Sequence, residues 1–571
     1  MGVSAAKFKK FNSAGQSSSH YIPGTYSRRN TVGAGTGVSS GNLCIIGTSM
    51  GGKPLTLHAV SDKAEAKDLL VSGTLLEAVA QAFNGSNTYV PQQVFCMRVN
   101  AGTQSSRTLK NGSTSVLTLK SADYGAHMNQ LKMWLKAGTT GKKVLVNYKG
   151  SEVEIDNITK KSFSILYLGE GESAVCTINA TGLTLTTDVT ADNLSITWEE
   201  CETLEELVAK INDSGVYSAT LIDTTPNTPT KQLDHVSSVS VLTTAATFNS
   251  DLQALIEALE SVQYIGEGNV TLTGTSRLIP DNDEGYEYFS CANAGTATTS
   301  DWETAINLLE KEDIQIIATP ETDSDICSLI VDHCVSMSTV SKKKERTCWI
   351  GTAKGTSIDN AITQAKTYNS ELVSLVCTSA VANNPLTGAS EEIAPALLAC
   401  KCAGIESAIG VSNPLTNKTI KVSSFGTKYK ESELNKMIAG GVVTFGENDD
   451  GELVCIRCIT TYQGDSLILN ERSMIRSVLY MDRDLRKAFN RRIGTNDEPS
   501  ESSIIQTLEN KSKEWYADSL ITKNGANLYE NAKVRFDGDK IYLTFDRYIR
   551  APNNFVFITA TNKVYSSTVE V

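Results

Sequence analysis

The sequence predicts an α/β fold of mixed α+β character: a discontinuous α/β core domain carrying an inserted β-rich region, with extended N- and C-terminal arms. Three observations predict it. Short apolar runs alternate with helix-period segments in two separated stretches, 41–100 and 285–552. The stretch between them, 101–284, is dominated by short strand patterns broken by Gly, Asn and Asp turns. Residues 1–40 are poor in pattern, and 553–571 is strand-like with nothing after it to cover it. Helices set between short apolar strands imply a sheet with parallel members.

The elements follow in order. Residues 1–40 are rich in Gly, Ser and Ala and enclose Tyr21, Ile22, Pro23, Gly24, Thr25 and Tyr26, a Pro-Gly turn between aromatics; this reads as an extended arm. Residues 43–46 form a buried-strand run ending at Gly47, 64–70 and 75–83 are helix-like, and 94–99 is strand-like. That is a β-α-α-β opening to an α/β domain. The texture changes near Ala101, with strands expected at 116–120, 131–136, 143–148, 152–155 and 163–168. Thr-rich strands and a helix at 204–211 fill 170–245, and 252–259 is helical, so 101–284 reads as one or two β-rich modules. From Tyr286 the alternation returns: helices at 302–309, 326–340, 358–368 and 393–403, strands at 314–318, 347–351 and 372–377.

The last hundred residues carry the most informative pattern. Over 471–489, Ile475, Val478, Leu485 and Phe489 form one apolar stripe with Arg476, Arg483, Arg486 and Lys487 around it. A second helix is expected from a capping box at Ser503 and Gln506, with Ile505, Leu508, Trp515 and Leu520 as its stripe and Asn524-Gly525 as its stop. Runs at 533–536 and 540–545 flank Asp537-Gly538, a hairpin signal. After Pro552, 555–561 and 563–571 are extended. A strand with nothing to cover it needs an edge to pair with, and another copy of the chain can supply one.

Bulk composition narrows the function classes. The chain has 571 residues, 40% hydrophobic and 20% charged, enough to bury sizeable cores. A net charge of −12 argues against nucleic acid as a partner. Thirteen scattered cysteines, an odd number, fit free thiols in a reducing compartment rather than a disulfide framework. Lys7, Lys9 and Lys10 interrupt any apolar leader, and no apolar run reaches the ~18 residues of a membrane span. A chain made and folded in a cytosol, with no direct membrane insertion, is expected.

Candidate chemistry is sparse. Gly47-Thr48-Ser49-Met50-Gly51-Gly52-Lys53-Pro54 follows a strand and matches a phosphate-binding loop except at its last position, where Pro54 replaces the hydroxyl that holds magnesium. The expectation is a plain Gly-rich turn; the competing reading is a nucleotide-dependent assembly enzyme. Cys455 and Cys458 have metal-like spacing, with Cys400 and Cys402 elsewhere, but a strand points residues three apart to opposite faces. Buried apolar packing is expected, with no metal. His20, His58, His127, His235 and His333 are unpaired in sequence. No catalytic residues and no cofactor are expected. The cluster Arg483, Arg486, Lys487, Arg491 and Arg492 reads either as a solvated helix surface, offset by Asp482 and Asp484, or as a docking face for an acidic protein.

Taken in order, these features resemble the tail sheath proteins of contractile-tailed bacteriophages and related contractile injection particles. The likeness rests on Tyr21 to Tyr26, on Tyr124-Gly125 with Asn129 before the strand at 131–136, and on 293–309 with Trp302. It is strongest C-terminally: 392–404, the run 432–445 with Gly451 and Thr460-Thr461, the helices 473–489 and 503–520, and the closing strands. The 101–284 region matches weakly. The resemblance implies a structural subunit, not an enzyme, that stacks as hexameric rings around an inner tail tube and contracts from a metastable extended state. It implies self-association, with inner tube, baseplate and tail terminator proteins as partners, in a virion assembled in the host bacterial cytoplasm. It places the 101–284 insertion facing outward. The linking arms would be Tyr21, Ile22, Pro23, Gly24, Thr25 and Tyr26 at one end and Val564, Tyr565, Val569 and Val571 at the other. Arg483, Arg486, Lys487, Arg491 and Arg492 would face the tube. The alternatives are a self-associating shell subunit, or an adhesin whose β-rich region binds a receptor.

Overall fold

The computed structural model describes residues 41–223, 225–494 and 500–562. They divide into two compact units, one of 41–49, 55–100 and 297 onward, the other of 50–54 and 101–296. Each unit is built around its own sheets.

The first unit holds an eight-stranded sheet in the order Leu57–Val60, Val94–Arg98, Leu43–Gly47, Ile316–Ala318, Thr347–Gly351, Val373–Val376, Val442–Glu447, Leu453–Arg457. The six inner strands run parallel, in registers such as Leu43 opposite Ile316 and Cys348 opposite Val373, and the strand at each edge is antiparallel. Leu43–Gly47, Ile316–Ala318, Thr347–Gly351 and Val373–Val376 are buried along their whole length. Alternate side chains serve two different cores: Leu43, Ile45 and Trp349 on one face, Cys44, Ile46, Cys348 and Ile350 on the other. Burial on both faces is why these strands read as unbroken apolar runs.

Helices Thr74–Phe83 and Pro395–Ala408 cover one face; Thr299–Leu308, Ser324–Met337, Ile358–Tyr368 and Glu431–Ala439 supply the other. Pro395 opens its helix at the first turn, where a missing N–H costs nothing. That helix is buried nearly all round, and two glycine-mediated contacts let it sit so deep. A Cβ on Gly404 would lie 2.2 Å from the Ala82 carbonyl oxygen, and one on Gly351 would lie 2.2 Å from the Ala396 Cα. Backbone meets backbone at both places, so no larger residue fits.

The second unit is mainly β. Four antiparallel sheets of three or four strands surround two apolar clusters, one around Val116, Leu131, Met133 and Leu255, the other around Phe163, Ile165, Trp198 and Leu207. Its helices are Leu204–Asn212 and Asp251–Glu260. The first is closed by a capping box between Thr203 and Glu206.

The first unit's sheet and helices agree with the α/β class read from the sequence. Several local readings need correction. The second C-terminal helix starts three residues earlier than expected: Ser500 is its cap, accepting from the Ser503 N–H, and the helix spans Glu501–Ala517. Its buried stripe is Ile504, Leu508 and Trp515, so Ile505 is not the inward position. Leu520 is buried but lies beyond the helix, and Asn524-Gly525 sits in a later turn. Residues 551–562, expected as an extended stretch at 555–561, pair with no strand within the described residues. Cys455 and Cys458 do not point apart. The register slips by one between Thr444 and Phe445, which leaves Ile456 as the extra residue, and both cysteines enter the same core.

Candidate functional site

The C-terminal elements of the first unit make a small module: the helices Arg472–Asn490 and Glu501–Ala517, the short pair Ile521–Thr522 with Tyr548–Ile549, and the hairpin Glu530–Asp537 with Lys540–Asp546. Its own core is modest, with Met481, Trp515, Leu520 and Ile521 packed against Val411. Polar contacts supplement it. Asp484 accepts from the Trp515 indole at 2.9 Å and pairs with Lys511 at 3.1 Å, and Asp482 binds Arg547 at 2.6 Å.

The hairpin forms as the Asp537-Gly538 signal predicts, with Val534 opposite Leu543 and Phe536 opposite Ile541. Among the described residues it is a two-stranded sheet with no third strand on either edge. Such a ribbon is marginal by itself and presents free ladder groups. A groove of about 960 Å³ runs beside it, lined by Leu485, Phe489, Ile504, Phe536, Leu543 and Phe545.

Beyond the module the chain carries an uncovered apolar run. Phe555, Val556, Phe557 and Ile558 are 74%, 79%, 92% and 86% exposed. The segment is held at its root, where Asn554 donates to Glu471 at 3.2 Å and the Arg457 guanidinium lies 5.5 Å from the Phe555 ring centre. Four consecutive large apolar residues in water mark an interaction site. The predicted arm residues Tyr21, Ile22, Pro23, Gly24, Thr25 and Tyr26, and likewise Val564, Tyr565, Val569 and Val571, lie outside the described residues.

The five basic residues are not one free face. Arg486 pairs with the buried Glu345 carboxylate at 2.6 Å, and Arg483 reaches the Glu345 carbonyl at 3.5 Å. Arg492 donates to Ser503 and Thr507 on the neighbouring helix. Lys487 and Arg491 are exposed. A signal the sequence reading passed over lies beside them: Lys342-Lys343-Lys344 form a loop whose Lys343 carbonyl is 3.5 Å from Arg486.

The sequence reading also missed a buried charge cluster. Arg476 was expected on the helix surface, yet the first turns of Arg472–Asn490 are inside the protein. Arg472 grips Glu406 with two bonds of 3.1 Å, and the Arg476 Nε lies 3.0 Å from the same carboxylate. The Trp349 indole N–H donates to Glu406 as well, and its ring lies 4.9 Å from the Arg472 guanidinium. Burial acts to raise the Glu406 carboxyl, and the two guanidinium groups outweigh it, leaving it below its ordinary value. Removing one partner of such a set costs roughly 3–5 kcal/mol. The available signal was charge inside an apolar helix: Lys401 and Glu406 both interrupt 395–408. Lys401 is buried too, donating to the Asn84 and Lys421 carbonyls, and its amine is pushed down to about 8 by burial.

The remaining motifs resolve simply. A phosphate loop needs a helix opening at its end, and none follows 47–54; the chain goes to the strand Leu57–Val60. Gly52 donates its N–H to the Asp123 carboxylate at 2.9 Å, and Asn100 makes two bonds to the Ser49 backbone, so an acid and an amide hold this turn. Twelve of the thirteen cysteines are buried and all are free thiols. Among the described residues no three His, Cys, Asp or Glu side chains converge as metal ligands, and no helix is long and apolar enough to cross a membrane.

Comparison with known proteins places these features. Residues 295–461 match the family model of the phage tail sheath protein central domain. A protein of Enterococcus phage phiEF24C that carries a tail sheath name is 25% identical over 520 residues, covering 84% of this chain and 87% of that one. The tail sheath protein of Staphylococcus phage Twort is 31% identical over 152 residues, a quarter of each chain. Two solved sheath tail proteins share the fold. That from Desulfitobacterium hafniense has a TM-score of 0.54 at 13% identity, covering 92% of this chain and 96% of its own. That from Listeria innocua has a TM-score of 0.54 at 11% identity, covering 90% and 97%. The resemblance to tail sheath proteins read from the sequence therefore holds.

Proposed function

We propose that this chain is the structural subunit of a contractile phage tail sheath, stacking as hexameric rings around an inner tail tube in the virion. A tail sheath role is what the matched family and relatives support; the ring order, the arms, the tube contact and contraction are this reading's own extension. The observation that carries it is the exposed run Phe555–Ile558 together with a hairpin that, among the described residues, has two open edges. An apolar, β-prone segment and an unfinished sheet in one chain are complementary, and two copies can satisfy both.

In this reading the terminal segments 1–40 and 553–571 add strands to the hairpins of neighbouring subunits. Main-chain bonding in an added strand survives rotation of the attached bodies, so rings can turn and close up without losing their links. The energy for contraction lies in subunit contacts of a kinetically trapped extended lattice, and no nucleotide is needed. The exposed Lys487 and Arg491, with the Lys342–Lys344 loop nearby, face the inner tube. The second unit faces outward. The protein acts by assembly and not by catalysis, with baseplate and terminator proteins at the ends of the cylinder, and it assembles in the host cytoplasm.

Electron microscopy of the purified protein tests this. Full-length chain is expected to form hollow, transversely striated cylinders. Chain lacking 563–571 is expected to stay as soluble subunits; ordinary long cylinders from that truncation would defeat the arm assignment.

A further inference from the structure

We propose that Glu406, clamped between Arg472 and Arg476, is the positioning residue that fixes the strand-exchanging module onto the central sheet, so that module and core move as one body. The proposal rests on the sheath reading for its consequence, but its physical content stands on the subunit alone.

The cluster is where the connections converge. Arg472 donates to the Cys348 carbonyl at 2.9 Å, the Leu372 carbonyl at 3.3 Å, the Ser374 hydroxyl at 3.2 Å and the Thr347 hydroxyl at 3.0 Å, in addition to Glu406. Those four residues lie at the starts of two adjacent parallel strands. Glu406 belongs to the last turn of Pro395–Ala408, and Arg476 donates to Gly410 at 3.2 Å and to Asn413 at 3.4 Å just after it. Arg472, Arg476 and the carboxylate they share thus tie two strands, the deepest helix and the loop after it to the first two turns of Arg472–Asn490. From Val478 the same helix, Met481 apart, is partly buried or exposed, and it goes on to carry the module.

The chemistry favours positioning over bulk stability. Apolar packing tolerates small slides, whereas a bidentate arginine fork with its remaining N–H groups on fixed carbonyls has a single geometry. Two buried guanidinium groups share one carboxylate, so loss of that carboxylate leaves both with neutral acceptors but no counter-charge in a buried site. The module's own core offers little else to hold its angle, as only a few buried apolar side chains contribute. A subunit that is pulled through its arms needs a stiff connection between arm and body, and this is where the chain has one.

The test uses full-length chain carrying Glu406→Gln or Arg472→Lys, with amide hydrogen exchange read by segment and cylinder formation read by microscopy. Arg472→Lys keeps the charge and removes the fork, so it serves if Glu406→Gln does not fold. In either variant protection over 472–517 is expected to fall about tenfold or more. Strands 316–318 and 347–351 and the second unit should stay within about twofold. Adding Arg476→Met to Glu406→Gln removes the surplus charge and is expected to restore part of the protection. Cylinder yield should fall with the loss of protection and recover with it. Unchanged protection over 472–517 in both variants, or an equal loss across the whole first unit, would overturn the proposal. If the unaltered chain forms no cylinders, the sheath reading fails while the exchange result still decides the clamp.

Discussion

At the scale of single residues, the first unit depends on buried polar groups whose partners are distant in sequence. Arg472 and Glu406 are 66 positions apart, and nothing in their local pattern announces the meeting. What was legible was each charge interrupting an apolar run; what was not legible was which charge would answer which. His333 shows the same limit. Its Nε2 accepts from Arg346 at 2.6 Å inside the helix layer, and burial, reinforced by that guanidinium, pushes the imidazole down to about 4. The folded imidazole is neutral while the unfolded one titrates near its ordinary 6.5. Between those values the unfolded chain binds a proton that the folded chain refuses, so stability is present above 6.5 and is lost as pH falls toward 4. At pH 5 this amounts to about 2 kcal/mol. His333→Gln keeps an acceptor for Arg346 and does not titrate. Its melting temperature is expected to fall less between pH 7 and pH 5 than that of the unaltered chain, as followed by thermal unfolding; equal falls would remove His333 as the cause.

At the scale of elements, the pattern of apolar residues carried most of the information. Strands buried on both faces announce a parallel sheet, and Asp537-Gly538 announces the hairpin, because both signals are local. Failures came where one residue changes the count. The bulge at Ile456 turned Cys455 and Cys458 into the same core. A serine three positions earlier captured the start of the Glu501–Ala517 helix. The basic helix face was read as a unit, but its inner residues are committed to Glu345 and to the neighbouring helix. Charge reversal at Arg483 or Arg486 would therefore confound docking with folding. Reversing Lys487 and Arg491 together avoids this. Cylinder assembly is expected to persist while copurification with tube protein falls several-fold, more so at higher salt. Undiminished copurification would move the tube contact elsewhere.

At the scale of the whole molecule, the chain is an α/β body with a β-rich second unit, and its C-terminal end presents a two-stranded hairpin and, further along, an exposed apolar run. Among the described residues the hairpin has no third strand and Phe555–Ile558 has no cover, two deficits that, under the proposed function, neighbouring copies remove together. Under the proposal the exposed apolar run has a specified edge partner, which separates assembly from aggregation. The claim at the centre is that these main-chain groups pair between copies. Amide hydrogen exchange over 530–546 and 555–558, compared between free subunits and assembled cylinders, tests it most directly. Rapid exchange at 555–558 and along the outer edges of the hairpin in the free subunit, with strong protection of both once assembled, is the predicted result. Exchange at those amides that is equally rapid in cylinders would contradict it.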